Sequence, residues 1–192
     1  MSIIQYPQWL MWPGELNDET CDRWLKICKK LPSQPASTFR TADAGDEEND
    51  GSRKTQIRWI YNDDATKEIH ATLLHYLNTA NETFKVNVER LPPIQFTEYA
   101  DVGDHYDHHH DVDWFRQDGQ HRKLSVIVQL SDPEDYEGGV FSFLHHQNPD
   151  AIDLRKRGTI MVFLPYIEHM VSPIQEGSRT SMVAWMEGPR WV

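Results

Sequence analysis

The stretch from Tyr99 to Asp113 reads Y-A-D-V-G-D-H-Y-D-H-H-H-D-V-D and gathers four histidines and five aspartates behind its leading tyrosine. Imidazole nitrogens and carboxylate oxygens at that density suit a first-row transition metal, so a metal site is expected here. His109 and Asp111 are the pair to single out, because i, i+2 spacing on an extended strand sends both side chains to one face. With one distant histidine they would compose the 2-His-1-carboxylate triad of non-haem iron(II), which leaves positions open for substrates and dioxygen.

The third ligand is then expected on a later strand. His169 lies between two strand-like runs, G-T-I-M-V-F-L-P from Gly158 and G-S-R-T-S-M-V-A-W-M from Gly177, and stands 58 residues beyond Asp111. Ten residues after it, Arg179 opens the last apolar run, where its guanidinium fork would suit a carboxylate. A metal triad with an arginine at that distance implies a cosubstrate carrying a carboxylate.

These residues stand in a longer pattern: Tyr99, Gly103, Tyr106, His109 and Asp111, then K-L-S-V-I-V-Q-L, E-G-G-V-F-S-F, G-T-I-M-V-F-L-P and H-M-V-S-P-I-Q-E-G-S-R. In order and spacing it resembles the iron(II)- and 2-oxoglutarate-dependent dioxygenases, most closely their prolyl-4-hydroxylase-like branch, over about residues 96–188. A second H-x-D occurs at His105 and Asp107, but the family register places the iron histidine three residues after the second tyrosine, which selects His109. His105, His108 and His110 then become loop or supporting histidines.

The resemblance implies a fold and a chemistry. The fold would be α+β with a mainly β core, a double-stranded β-helix (jelly roll) buttressed by N-terminal helices. Iron(II) would sit on His109, Asp111 and His169, and 2-oxoglutarate would chelate it with its far carboxylate on Arg179. An unactivated C–H bond would be hydroxylated with dioxygen, releasing succinate and carbon dioxide, and ascorbate would serve as an auxiliary reductant. Tyr99 occupies the position of a family tyrosine that contacts the cosubstrate. Gln129 would face inward to the same molecule, where relatives often carry tyrosine. Counting by twos from Arg179 puts Ser181, Val183 and Trp185 on one face, so Trp185 is expected at the substrate side of the site. The branch implies a peptidyl prolyl substrate.

Two helices and a set of short strands must position these groups. A chain of 192 residues is ample for one domain, here residues 1–93 of helices and supporting strands and 94–188 of catalytic core. A hydrophobic fraction of 39% with 21 aromatic rings, seven each of Trp, Tyr and Phe, excludes a disordered chain. The first helix is expected from Asn17 or Asp18, with Cys21, Trp24, Leu25, Cys28 and Leu31 on one face, and the second over about 65–79 with Ile69, Leu73, Tyr76 and Leu77. Before them the run I-I-Q-Y-P-Q-W-L-M-W-P-G reads as an edge or entry strand interrupted by Pro7 and closed at Pro13-Gly14. A further strand is expected over 53–61, and core strands at about 94–100, 109–112, 123–130, 138–143, 158–163, 168–171 and 179–187. The small, acidic stretch 33–52 reads as a loop, with a substrate lid as the alternative.

A net charge of −11 argues against a phosphate-rich partner such as nucleic acid. No run reaches the ~20 apolar residues of a membrane span. The N-terminus lacks the basic and apolar regions of a signal peptide. Two cysteines, seven residues apart on one expected helix, are too distant for a disulfide and fit a reducing compartment. A soluble, cytoplasmic protein is expected, in an oligomeric state the sequence leaves open. Three rival readings stand beside the hydroxylase: the same chemistry on a free amino acid or small metabolite, a non-catalytic cupin-like metal-binding protein, and a zinc hydrolase using Glu168 as base.

Overall fold

Residues 7–36 and 51–192 are described by the computed structural model. The chain enters through strand β1 (Trp9–Trp12) and turns into helix α1 (Asp18–Cys28). Asn17 caps that helix by accepting the Thr20 N–H at 2.9 Å, and Asp18 and Glu19 complement the positive end of its dipole. Cys21, Trp24 and Cys28 form its buried stripe. It stops one turn before Leu31, because Lys30 and Leu31 donate to carbonyls three residues back and tighten the chain.

Beyond β2 (Gln34–Pro35), the single strand expected over 53–61 is two: β3 (Arg53–Lys54) and β4 (Gln56–Ile60). They belong to different sheets, and Thr55 marks the crossing with its hydroxyl donating to Glu98 O at 2.6 Å. Helix α2 (Lys67–Phe84) outlasts its expected end and closes at Lys85, whose left-handed backbone lets its N–H donate to Asn81 O. Most of the 33–52 loop, residues 37–50, lies outside the described residues, and with it the lid reading.

The core runs through β5 (Ile94–Tyr99), β6 (His105–His109), β7 (Gln120–Gln129), a 3₁₀ turn (Pro133–Asp135), β8 (Tyr136–Gly138), β9 (Phe141–Phe143) and α3 (Ala151–Arg155). It ends with β10 (Ile160–Phe163), β11 (His169–Val171), β12 (Ile174–Gly177) and β13 (Arg179–Pro189). The expected 109–112 strand lies earlier, at His105–His109, so Asp111 falls beyond its end, where its N–H donates to Pro165 O at 2.7 Å. The expected 138–143 strand is cut in two because Gly138 and Gly139 both take positive φ, 74° and 56°. Strand β12 and helix α3 were not apparent from periodicity.

Seven strands form one sheet in the order β1-β10-β7-β13-β5-β4-β2, four form a second as β3-β6-β11-β9, and β12 pairs with β8. Alternation sorts the large sheet into two faces. Ile94, Phe96, Val126, Val128, Met182 and Ala184 bury one face against Trp24, Leu73 and Leu77, so both helices buttress the sheet as expected. On the other face Tyr99, Ile127, Met161 and Phe163 meet Phe141, Phe143 and Val171 of the smaller sheet. The two sheets are the unclosed halves of a jelly roll. No described helix is long and apolar enough to cross a membrane, and Cys21 and Cys28 are free and fully buried.

Two irregularities aim residues into the space between the sheets. Along β6 and β11, His109 pairs with His169 but Tyr106 pairs with Val171, so β6 carries one extra residue. Along β7 and β13, Leu124 pairs with Met186 but Arg122 pairs with Glu187, a second bulge. Each bulge turns a side chain of the wrong parity onto the inner face.

Candidate metal centre and its cavity

A cavity of about 330 Å³ lies between the two sheets, and His109, Asp111 and His169 meet on its wall. Their ligand atoms lie within 4.8 Å of one another, Nε2 of His109 at 3.8 Å from Asp111 Oδ1 and Nε2 of His169 at 3.7 Å from Asp111 Oδ2. Cross-strand pairing of β6 with β11 brings the two histidines together, while the Asp111 to Pro165 bond folds the carboxylate back over them. Nδ1 of His109 bonds Asp107 O at 2.7 Å, and Nδ1 of His169 bonds Ile167 O at 2.8 Å. A carbonyl partner assigns the proton to Nδ1 and leaves each Nε2 lone pair toward the cavity.

Protonation suits a cation as well. Burial, reinforced by the neighbouring His169, holds the His109 pKa down at about 3. Burial pushes Asp111 the other way, but His169, His109 and Arg122 outweigh it and keep the carboxyl at about 2. A neutral imidazole and an ionised carboxylate are the forms that bind a metal. Two imidazole nitrogens and one carboxylate oxygen, converging from a fixed scaffold, fit an iron(II)-type ion with open positions.

Side chains around the triad hold it in place. Ser125 donates to Asp111 Oδ2 at 2.6 Å, and Arg122 Nη1 lies 4.0 Å from Oδ1. Tyr106 stacks on His109 with ring centroids 3.5 Å apart, and Arg53 covers the other side of that tyrosine at 4.3 Å. Of these four only Tyr106 was named from the sequence, and there as a register mark of the family pattern and not as a site residue. Ser125 lies on the same face as Ile127 and Gln129 by simple alternation and was legible in principle; Tyr106 and Arg122 reach the cavity only through the bulges.

Arg179 lines the same cavity and is buried. Its cross-strand partner is Tyr99, whose ring centroid lies 5.4 Å from the guanidinium carbon. Nη2 donates to Gln129 Oε1 at 2.9 Å, and Gln129 Nε2 donates to the Tyr136 hydroxyl at 2.7 Å. Nη1 is buried with no hydrogen-bond partner among the described residues. A buried guanidinium nitrogen without an acceptor fits a carboxylate guest. Gly139 makes room for this arginine, since a Cβ there would lie 3.1 Å from its Cδ.

The remaining expectations divide. Trp185 lines the cavity together with Ser181 and Val183, as alternation from Arg179 required, and Tyr99, expected there from its place in the family pattern, lines it too. Gln129 is buried beside it, but its amide is engaged by Arg179 and Tyr136 and is not part of that lining. His108 and His110 are exposed, and His105 bonds the carbonyls of Gly103 and Gly51; all three stand apart from the cluster. Glu168 is absent from the lining, as its position next to His169 required. Asp104, from the acidic run, is a buried turn residue accepting the N–H groups of Ala100 and Asp101.

Residues 94–187 match the family model described as the 2OG-Fe(II) oxygenase superfamily. A PKHD-type hydroxylase of Azoarcus sp. (strain BH72) is 33% identical over 95 residues, which are 48% of this chain and 41% of that protein. The chain thus aligns with about two fifths of that relative's length. A prolyl-4-hydroxylase of Pseudomonas putida has a similar solved fold, with a TM-score of 0.67 at 20% identity, covering 96% of this chain and 94% of that one. A Trichoplax adhaerens prolyl hydroxylase, solved with a hypoxia inducible factor peptide fragment, superposes with a TM-score of 0.70 at 16% identity, covering 93% and 83%.

Proposed function

We propose, from the match of residues 94–187 to the 2OG-Fe(II) oxygenase superfamily model, that this chain is a member of that superfamily, an iron(II)- and 2-oxoglutarate-dependent dioxygenase acting on a peptidyl residue, proline first. The observation that carries the reading is one cavity presenting both the His109, Asp111 and His169 cluster and the unpartnered Nη1 of buried Arg179. Iron(II) held by the three residues, with 2-oxoglutarate and dioxygen, would supply hydroxylation of an unactivated C–H bond with release of succinate and carbon dioxide.

The chain's own residues orient and exclude. Ser125 and Arg122 fix the Asp111 carboxylate, and the Nδ1 bonds of His109 and His169 fix their rings. Arg179, steadied by Gln129 and flanked by Tyr99, binds the distal carboxylate of the cosubstrate. Phe141, Ile127, Val171 and Val183 line the cavity with apolar surface. No side chain is required as general acid or base. Trp185 stands on the substrate side, and ascorbate is the expected auxiliary reductant. The similarity to hydroxylases of peptides supports a peptide or protein substrate, the two buried free thiols support a cytoplasmic setting, and residues 1–192 are read as one domain.

The test is 2-oxoglutarate turnover to succinate under air, with iron(II) and ascorbate, for the wild type, Asp111→Ala and Arg179→Ala, with and without proline-rich peptides. Turnover that both substitutions abolish and a peptide stimulates is the expected result. A protein that binds iron yet never consumes 2-oxoglutarate would instead be the non-catalytic metal-binding protein, for which Arg179 is dispensable.

A further inference from the structure

A second cavity, of about 260 Å³, opens beside the first, and Trp59, Arg122 and Trp185 line both. Its remaining walls are Tyr61, Pro92, Pro93 and Glu187. Sheet geometry explains the continuity. Trp185 and Glu187 follow Arg179 on the inner face of β13, and Trp59 with Tyr61 shares a face at the end of β4. The two cavities are therefore one inner surface, running from Arg179 past the metal cluster to the far end of β13.

Charge on these walls is already matched. The Glu187 carboxylate bonds Arg90 at 2.6 Å and Arg116 at 2.5 Å. Arg122 lies 3.6 Å over the Trp185 ring, with Asp111 at 4.0 Å. What the cavity presents to a guest is three aromatic rings and two pyrrolidines, surfaces that favour an uncharged ring. Trp185, which borders both cavities, also carries an unused donor: its Nε1, in a residue only 8% exposed, is buried with no hydrogen-bond partner among the described residues. Indole N–H can only donate, so it calls for an acceptor such as a peptide carbonyl.

We propose that this second cavity is the subsite for the residue adjoining the hydroxylated one, that it takes a proline or aromatic ring there, and that Trp185 donates to a carbonyl of the substrate backbone. The inference rests on the hydroxylase reading and sharpens its substrate class. A free amino acid or small metabolite would fill the first cavity and leave the second without an occupant.

Acetylated and amidated pentapeptides Gly-X-Pro-Z-Gly, with X or Z varied among Ala, Asp, Lys, Pro and Phe, test it through kcat/KM for hydroxylation read by mass spectrometry. One of the two positions should prefer Pro or Phe to Ala by about tenfold or more, with Asp and Lys below Ala. Trp59→Ala, and Tyr61→Ala as a second variant should the first fold poorly, should cut that preference to about twofold. A flat profile at both positions, a preference the variants leave intact, or free proline used as well as the peptides would overturn the subsite. 2-Oxoglutarate turnover by the wild type, measured with and without the peptides, separates the two claims: its presence with a flat profile sinks the subsite alone, and its absence under both conditions sinks the hydroxylase reading. In that second case, binding of the same peptides followed by tryptophan fluorescence still reads the ring preference.

Discussion

Arg179 gives one of its two terminal nitrogens to Gln129 Oε1 at 2.9 Å, and Gln129 is turned toward it because its Nε2 is bonded to the Tyr136 hydroxyl at 2.7 Å. The bond holds the guanidinium with its other nitrogen left over for a guest. Replacing the amide removes that support and strands a buried donor, a loss of about 1–3 kcal/mol. Gln129→Leu should therefore raise KM for 2-oxoglutarate by about 5- to 150-fold, measured by succinate release at saturating iron. An unchanged KM would show that Arg179 needs no such support.

Ser125 touches Asp111 and reaches the ion only through it. Outer partners of this kind are worth about 10- to 100-fold in metal affinity. Ser125→Ala should weaken iron(II) or cobalt(II) binding by that factor in a chelator competition while leaving the thermal midpoint nearly in place. Wild-type affinity in the variant would show that the 2.6 Å bond to Oδ2 has no part in shaping the centre.

Gly158 sits at φ +80°, and a Cβ there would lie 2.0 Å from Leu16 O, the backbone of the segment leading into α1. Left-handed backbone alone costs an L-residue about 1–2 kcal/mol, and the contact with Leu16 adds to it. Gly158→Ala should lose at least about 2 kcal/mol of stability, a fall of about 4–8 °C in thermal midpoint for a chain of this size. Differential scanning calorimetry decides it.

Alkali should unfold the protein through groups buried in neutral form. Burial pushes the Cys28 thiol from 9.0 to about 12, and burial also raises the Tyr106 and Tyr76 phenols from 10.0 to about 12. Because the folded pKa is the higher one, their contribution is complete below pH 9 and is lost as pH climbs toward 12. The thermal midpoint should fall across that window, less steeply in Cys28→Ala. A midpoint flat from pH 9 to 12 would contradict the burial of these groups as neutral species.

Much of this was legible in the chain. Asn17 and the i, i+3, i+4 stripe of Cys21, Trp24 and Cys28 gave α1 from local chemistry alone. Alternation from Arg179 gave the inner face of β13, including Trp185, because a long strand buried on both sides keeps its parity. Strand boundaries were less legible. Arg53 to Tyr61 is one uninterrupted run of strand-forming residues, yet it serves two sheets, since the break at Thr55 follows from which partner strands are within reach. Asp111 was placed on a strand with His109 and lies past its end, so the two meet by a turn tied to Pro165 and not by shared parity.

The amino-acid sequence by itself determined which groups are available for chemistry: two histidines, one carboxylate and one arginine, with the spacing that lets separate strands deliver them. Residue type and local periodicity suffice for that. Only the tertiary structure decided which neighbours surround them. Tyr106 stands at odd parity to His109, as Arg122 does to Ser125 and Ile127, and a count by twos sends both away from the cavity. A single extra residue in β6 and another in β7 turn them inward. Whether a strand bulges depends on the hydrogen-bond register offered by its partner, here β11 and β13, and that register exists only once the sheets have assembled.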